Sequence, residues 1–182
     1  MAGLFAIVGP SGAGKDTLME AARARDPAVH LVRRVITRPT EAGGEDFEGV
    51  TEAEFARRLA AGEFVLHWRA HGFAYGIPAS VRDVLAEGRA VLFNGSRAML
   101  AEAVRAFPEL KVIHVTARPE VLRARLEKRG RETSDEIEKR LDRARVSLPL
   151  GLDLFEIDNS GDLETALSAL LRVVRNPSAA FP

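Results

Sequence analysis

Short apolar runs alternate with amphipathic stretches along the whole chain, a pattern typical of α/β proteins. Residues 4–8 form a continuous apolar run of the length of a buried strand, and residues 18–24 have the spacing of a helix. Further strands are predicted at residues 29–36, 64–70, 90–93, 111–116 and 154–157, and a short return strand follows the turn at 71–76. Because helices separate most of these strands, we expect a parallel sheet covered on both faces.

Capping signals mark where several of the helices begin. Thr51 and Glu54 have the spacing of a capping box before a helix that Gly62 closes, and Thr133 and Glu136 repeat that spacing. Pro119 suits the first position of another helix. One further helix is predicted to begin at Ser80, another to end near Phe107, and a third to cover residues 163–174. Residues 40–49 are predicted as a loop and residues 176–182 as a loose tail.

A glycine-rich stretch joins the first strand to the first helix. Its residues are Gly9-Pro10-Ser11-Gly12-Ala13-Gly14-Lys15-Asp16-Thr17, which contain G-x-x-x-x-G-K. Glycines at this junction allow several backbone N–H groups to surround one anion, and the helix N-terminus adds partial positive charge. Lys15 supplies a full charge for the outer phosphates. The stretch therefore predicts a phosphate-binding loop, against the alternative of an ordinary strand-to-helix turn.

The residue after the lysine departs from the usual motif. Ser or Thr ordinarily stands there and gives its hydroxyl to Mg²⁺, whereas here Asp16 takes that place and the hydroxyl follows at Thr17. The Asp16 carboxylate either contacts the metal, directly or through water, or accepts hydrogen bonds within the loop. The sequence favours neither alternative.

Length and charge limit the classes of function. The chain has 182 residues, which suits one compact domain, and its 26 basic and 26 acidic residues give no net charge that would favour nucleic acid or an anionic membrane. It has no cysteine, which excludes disulfides and thiol catalysis. No apolar run approaches the roughly 20 residues of a membrane span. We therefore expect a cytoplasmic protein that acts on a small-molecule substrate.

Arginines gather on both sides of Gly130, where the helical pattern breaks. They stand at positions 123, 125, 129 and 131 and again at 140, 143 and 145. For Arg123, Arg125 and Arg145 we favour a solvent-exposed helix face. The other four, Arg129, Arg131, Arg140 and Arg143, flank a flexible junction, so that a hinged lid would bring them onto the phosphates of a nucleotide.

No convincing general base accompanies these arginines. His67 and His71 alternate with Trp68, and lone histidines in such a place are more often packing or turn residues. Phosphoryl transfer to an alcohol commonly uses a carboxylate to accept the proton, whereas a phosphate acceptor needs only positioning and charge neutralisation. The sequence therefore favours a kinase whose acceptor is a phosphate, over a carbohydrate kinase with a hydroxyl acceptor.

The motifs resemble those of the guanylate kinase superfamily over essentially the whole chain. They are the loop at 9–17, Thr37-Arg38, Gly72 to Gly76, Arg125-Leu126-x-x-Arg129-Gly130 and Arg140-Leu141. The resemblance implies a P-loop NTPase with a five-stranded parallel core, formed by residues of about 1–33, 90–125 and 146–175. It also implies an acceptor-binding insert at about 34–89, a helical lid at about 126–145, and ATP with Mg²⁺.

The resemblance also assigns roles to individual residues. It implies that Arg38 and Tyr75 hold the acceptor phosphate, and that Arg129 and Arg140 act with Lys15 on the phosphates in transfer. Arg131 is expected to contact the nucleotide together with residues 9–17, and Arg143 the substrate. Asp16 and Thr17 are the candidate metal ligands.

Departures from the superfamily pattern concern the acceptor. Guanylate kinases have Ser, Arg, Glu and Asp where this chain has Arg34, Glu41, Leu66 and Asn94. Guanine facing Leu66 would leave one or two N–H donors unpaired, at about 1–3 kcal/mol each. GMP is therefore expected to be a poor acceptor.

A second resemblance accounts for these departures. Stretches at residues 9–16, 36–38, 68–76, 94–98 and 125–132 resemble the ribose 1,5-bisphosphate phosphokinases of phosphonate breakdown, in which Asp after the loop lysine is usual. The implied reaction converts ATP and ribose 1,5-bisphosphate to ADP and 5-phosphoribosyl 1-diphosphate. Arg34, Arg69, Asn94 and Arg97 are then candidates to bind the acceptor. The alternatives are a nucleoside monophosphate kinase with a relaxed pocket and a non-catalytic binding module, which the intact Lys15 disfavours.

Overall fold

Two sheets and eight helices make up the part of the chain that the computed structural model describes, which is residues 3–39, 45–130, 132–144 and 154–180 without the side chains of residues 143, 179 and 180. The strands are β1 Gly3–Val8, β2 Val29–Leu31, β3 Arg34–Ile36, β4 Phe47–Gly49, β5 Phe64–Ala70, β6 Phe73–Pro78, β7 Ala90–Asn94, β8 Lys111–Thr116 and β9 Leu154–Asp158. The helices are α1 Lys15–Arg25, α2 Glu52–Ala60, α3 Val81–Ala86, α4 Leu100–Ala106, α5 Pro119–Arg129, α6 Ser134–Ala144, α7 Leu163–Arg175 and α8 Pro177–Ala180, and a 3₁₀ turn covers Arg97–Met99.

The larger sheet has five parallel strands in the order β2-β7-β1-β8-β9, as expected. Alternate residues of β1 point to opposite faces. Phe5 and Ile7 pack in a core with α1, α5 and α7, whereas Leu4, Ala6 and Val8 join a second core on the other face. Both faces are therefore covered, and the glycine-rich loop follows the central strand at its carboxyl end.

The smaller sheet has four strands in the order β4-β3-β6-β5, and the sequence pattern did not predict it as a unit. The single extended segment expected over 29–36 is wrong: it divides into β2, which pairs with β7 in the larger sheet, and β3, which pairs with β4 and β6. β4 lies inside the predicted loop. Since β4 has only three residues, its strand conformation depends on pairing with β3 and leaves no periodic signal.

This smaller sheet is formed by residues 34–78, inside the segment predicted to bind the acceptor. The hairpin between β5 and β6 turns at His71 and Gly72, whose φ angles are 53° and 79°. β3 leads directly to Thr37 and Arg38. The hairpin and the end of β3 therefore bring two separate stretches to one side of the glycine-rich loop.

Local signals for helices are mostly confirmed. The Thr51 hydroxyl accepts a hydrogen bond from the Glu54 N–H at 3.1 Å, and Glu136 accepts one from the Thr133 N–H at 2.7 Å. Gly130 ends α5 in the left-handed conformation with φ of 65°. The predicted loose tail is wrong in part, because residues 177–180 form the short helix α8. None of the helices in the described ranges combines the length and the apolar character that a membrane crossing requires.

Candidate active site

A cavity of about 600 Å³ lies between the glycine-rich loop and the smaller sheet. It opens at the carboxyl ends of β1 and β7, where a parallel sheet of this kind binds its ligands. Six cationic side chains of the described ranges line it, namely Lys15, Arg34, Arg38, Arg97, Arg129 and Arg140. Asp16, Glu45, Trp68, His71, Tyr75 and Asn94 line it as well. The cavity therefore has a strong excess of positive charge although the whole chain has none.

Two glycines of the loop occupy positions that no other residue fits. Gly9 has φ of 150°, and a Cβ on it would lie 2.1 Å from the Val115 carbonyl oxygen. Gly14 caps α1 with φ of 83°, and a Cβ there would lie 2.6 Å from the Asn159 Nδ2. The loop consequently packs against the ends of β8 and β9 and leads into the N-terminus of α1, the arrangement that a phosphate-binding loop requires.

Lys15 folds back over the loop. Its Nζ donates to the carbonyl oxygens of Gly9 and Pro10, each at 3.0 Å. Burial lowers the pKa of Lys15 from its ordinary value, because the charged ammonium loses water, while the nearby Asp16 acts in the opposite direction. The ammonium is thus held over the loop by neutral acceptors.

Asp16 faces the cavity, whereas Thr17 does not. The Asn94 Nδ2 donates to the Asp16 Oδ1 at 2.8 Å, which links the loop to the end of β7. Thr17 is exposed on α1 and lies outside the cavity lining. Among the described ranges, no cluster of three or more His, Asp or Glu side chains suits a metal ion. A single carboxylate fits Mg²⁺ that takes its other ligands from phosphates and water.

Two arginines from α5 and α6 meet at the hydroxyl of Ser11. Arg140 Nη1 donates to Ser11 Oγ at 2.8 Å, and Arg129 Nη2 lies 3.5 Å from the same atom. Glu132, whose side chain is 6% exposed, bridges them by ion pairs with both guanidinium groups. The two predicted catalytic arginines are therefore brought to the loop. Arg131, Arg145 and the side chain of Arg143 lie outside the described residues.

At the other end of the cavity, Arg34 is already paired. Glu45 binds its guanidinium in a bidentate ion pair, with 3.0 Å between Arg34 Nε and Glu45 Oε2. The Arg34 guanidinium lies 5.1 Å from the centroid of the Tyr75 ring and 5.9 Å from that of Trp68, and the two rings stack at 5.2 Å. This corner of the cavity is consequently a compact neutral cluster rather than a free cation.

Arg38 and Arg97 line the same part of the cavity. The Arg38 guanidinium lies 4.3 Å from the centroid of the Phe47 ring, so that β4 helps to position it. Arg97 Nη2 donates to the Ala144 carbonyl oxygen at 3.3 Å, and burial lowers the pKa of Arg97 from its ordinary value. Both predicted substrate residues thus reach the cavity.

Arg69 and Leu66, which the sequence analysis associated with the acceptor, do not reach the cavity either. Arg69 is 68% exposed at its side chain and pairs with Glu52 at 2.8 Å, and neither residue lines the cavity. Leu66 is 4% exposed and belongs to the same apolar core as Trp68. Glu41, named with Leu66 among the departures, lies outside the described residues. The structure therefore corrects the expected positions of Arg69 and Leu66: side chains alternate along β5, so Arg69 lies on the face opposite to Trp68, and Leu66 is buried in the apolar core.

Of the arginines expected on a solvent-exposed face, Arg123 confirms that prediction and Arg125 contradicts it. Arg123 is exposed and pairs with Glu138. Arg125 donates to the carbonyl oxygens of Gly12 and Ala13 at 3.3 and 3.4 Å and to that of Asn159 at 2.8 Å. A signal existed for Arg125, since it stands four residues before Arg129 and so shares its face of α5.

Four further residues of the site were missed in the sequence: Asn159, Glu132, Glu45 and Trp68. Asn159 is 4% exposed and donates from Nδ2 to the Ala13 carbonyl oxygen at 2.8 Å. Its place just after β9, at the carboxyl edge of the sheet, was the available signal. Glu45 gave none, because only the pairing of β3 with β4 brings Arg34 to it. Glu132 stands three residues after Arg129 and closes the stretch 125–132, which was its available signal.

The fold is similar to that of solved kinases. A guanylate kinase from Anaplasma phagocytophilum has a TM-score of 0.68 and 19% identity, and the match covers 100% of this chain and 87% of that one. At this identity the likeness concerns the fold alone. It agrees with the five-stranded parallel core and the helices on both sides of it.

Sequence comparisons are more specific. The ribose 1,5-bisphosphate phosphokinase PhnN of Ruegeria sp. (strain TM1040) is 52% identical over 90% of this chain and 87% of its own. The protein of the same name from Azotobacter vinelandii (strain DJ / ATCC BAA-1303) is 51% identical over 97% of this chain and 98% of its own. A family model described as guanylate kinase matches residues 2–176. Because that model covers almost the whole chain, the chain belongs to the guanylate kinase family.

Proposed function

We propose that this protein transfers the γ-phosphoryl group of ATP to the 1-phosphate of ribose 1,5-bisphosphate, producing 5-phosphoribosyl 1-diphosphate and ADP. The observation that carries the proposal is sequence identity. About half of the positions are identical to those of the relatives named ribose 1,5-bisphosphate phosphokinase PhnN, over nearly the whole chain. The cationic cavity beside the glycine-rich loop supports it, because both substrates are polyanions.

The proposed reaction needs no general base. An oxygen of the 1-phosphate attacks the γ-phosphorus, the bond from that phosphorus to the oxygen bridging it to the β-phosphate breaks, and ADP leaves with the electron pair. A phosphate monoester loses its second proton at about pH 6, so the attacking oxygen is already ionised near pH 7. The protein therefore has to position the two substrates and neutralise the negative charge of their phosphates.

At the end of the cavity that borders the glycine-rich loop, here called the loop end, we assign binding of the nucleotide phosphates to residues 9–15 and Asp16. The backbone of the loop and the Lys15 ammonium surround the outer phosphates. Arg129 and Arg140, which meet at Ser11, neutralise the group in transfer. Mg²⁺ belongs with Asp16, which the Asn94 amide orients, and when bound it would neutralise the phosphate oxygens. Thr17 is a weaker candidate because it lies outside the cavity lining.

At the acceptor end, Arg38 and Arg97 supply charge for the phosphates of the sugar, with Tyr75 and Asn94 as further polar contacts. This assignment makes the smaller sheet the acceptor-binding insert and α6 part of the lid. The cytoplasmic location, the role in phosphonate degradation and the absence of a nucleic-acid partner stay predictions.

Product analysis tests the proposal. Purified protein is given Mg-ATP with either ribose 1,5-bisphosphate or GMP, and ADP release is followed together with ³¹P NMR of the products. We expect ADP and a new diphosphate signal with ribose 1,5-bisphosphate alone. Turnover of GMP instead would indicate a nucleoside monophosphate kinase, and no turnover with either acceptor would contradict the proposal and favour a binding module.

A further inference from the structure

The acceptor end of the cavity contains a carboxylate that the proposed chemistry does not use. Glu45 lines the cavity, and its side chain is 19% exposed. An ionised carboxylate repels phosphate, so its presence beside a substrate with two phosphates needs a reason. Its chemistry offers one, because an ionised carboxylate is an acceptor only and has about four lone-pair sites.

Arg34 fixes the position of this carboxylate. The hydrogen bonds between them run from Nε to Oε2 at 3.0 Å and from Nη2 to both carboxylate oxygens. Arg34 itself is 7% exposed at its side chain and lies against the Trp68–Tyr75 stack, which leaves it little freedom to move. These bonds use at most three of the lone-pair sites, so at least one remains for a ligand.

The pair therefore suits a neutral, hydroxyl-rich part of a ligand better than a phosphate. Its opposite charges cancel, so Arg34 adds little net attraction for an anion. A hydroxyl group, in contrast, donates a charge-assisted hydrogen bond to a carboxylate without losing charge of its own. Arg38 and Arg97 line the same cavity and supply the positive charge for phosphates.

We infer that Glu45 is the specificity-determining residue that accepts hydrogen bonds from the ribose 2- or 3-hydroxyl of the acceptor, while Arg34 positions it. The inference rests on the proposed function and deepens it, since it names the feature of the sugar that the enzyme reads. A site built to accept a hydrogen bond from a hydroxyl discriminates against an analogue that lacks it.

The test compares acceptors that differ in one hydroxyl. Values of kcat/KM are measured for ribose 1,5-bisphosphate and for its 2-deoxy and 3-deoxy analogues, with the wild-type protein and with Glu45→Gln. We expect the wild type to prefer ribose over at least one analogue by about ten- to hundredfold, the range for a hydrogen bond to a charged group. In Glu45→Gln that ratio is expected to fall towards one.

Two further variants separate recognition from stability. Glu48→Gln is the matched control, because Glu48, three residues after Glu45, also pairs with a half-buried arginine, Arg58, and this arginine lies over a phenyl ring outside the cavity. It is expected to keep the wild-type ratio. The double variant Arg34→Met with Glu45→Gln leaves no uncompensated charge, so it provides a folded protein if Glu45→Gln alone unfolds. Its ratio is expected to be near one as well.

The outcomes distinguish the inference from the proposed function. Absence of turnover of ribose 1,5-bisphosphate by the wild type would overturn both. Turnover with an unchanged ratio in the folded variants would overturn the inference alone and leave Glu45 as a structural partner of Arg34. Tighter binding of the acceptor by Glu45→Gln with an unchanged ratio would also overturn it, since Glu45 would then only compete with phosphate for Arg34.

Discussion

The two ends of the cavity hold their cationic side chains in different ways. At the loop end, Lys15 and Arg125 donate to backbone carbonyl oxygens, and Arg129 and Arg140 share one hydroxyl and one carboxylate. At the acceptor end, Arg34 has a carboxylate of its own. A phosphate displaces the neutral acceptors of Lys15 easily, and the single Glu132 carboxylate leaves one positive charge over on Arg129 and Arg140. Arg34, in contrast, is neutralised by a bidentate carboxylate that serves it alone, with which a phosphate cannot compete well. A cationic residue in a cavity is therefore not always available to bind an anion.

The largest effect is expected for Lys15→Ala at the loop end. It removes the ammonium held over the loop and should lower kcat by about a thousandfold or more, because that charge acts directly on the phosphates in transfer. Steady-state ADP release measures it. Lys128→Ala, at an exposed position of α5, is the control and should change kcat by less than about twofold. Activity close to wild type in Lys15→Ala would remove the loop from the mechanism.

At the acceptor end, Arg34→Met is expected to act on stability. It leaves the Glu45 carboxylate uncompensated and should lower the free energy of unfolding by about 3 kcal/mol. Adding Glu45→Gln should restore most of that loss, which distinguishes a broken ion pair from lost packing. Urea unfolding of the single and double variants gives the comparison. If the second substitution restores nothing, packing on the Trp68–Tyr75 stack is the cause.

Arg140→Gln tests the arginines that meet at Ser11. We expect kcat to fall by about a hundredfold, equivalent to about 2.7 kcal/mol, because a donor to the group in transfer is lost. Arg123→Gln, on the exposed face of α5, should keep the wild-type rate within about twofold. Equal losses in both variants would mean that α5 and α6 act through stability rather than through charge at the loop.

The smallest effect is expected for Arg69→Gln. Its ion pair with Glu52 is exposed, so its loss should cost less than about 1 kcal/mol of stability and leave kcat/KM for the acceptor within about twofold. A loss of tenfold or more would show that Arg69 moves to the cavity when the acceptor binds, and it would reinstate the role expected from the sequence.

Local patterns predicted most of the fold. The capping boxes, the glycine-rich loop and the longer strands each depend on neighbouring residues, and each was found where it was expected. The smaller sheet was missed, because the three-residue strands β3 and β4 acquire their conformation from pairing with each other and with β6. Val32 and Arg33, where the chain passes from one sheet to the other, contain no glycine or proline that would indicate a break.

The candidate site shows the same difference between what neighbouring residues determine and what only the fold determines. Arg123 and Arg125 stand in similar sequence contexts, yet one is on the surface and the other contacts the loop, because two positions on a helix differ by about 200° in direction. Arg34 and Arg69 were both expected to bind substrate, and only the fold shows that Arg34 is paired inside the cavity and Arg69 lies outside it.

The sequence by itself determined the phosphate loop, the parallel α/β core and the family, because these depend on contiguous motifs and on overall identity. Tertiary structure alone decided which arginines reach the cavity, which of them already have a carboxylate partner, and that Leu66 is buried in the core rather than in the cavity wall. The physical reason is that the direction of a side chain and its nearest opposite charge depend on packing between segments that are distant in the chain.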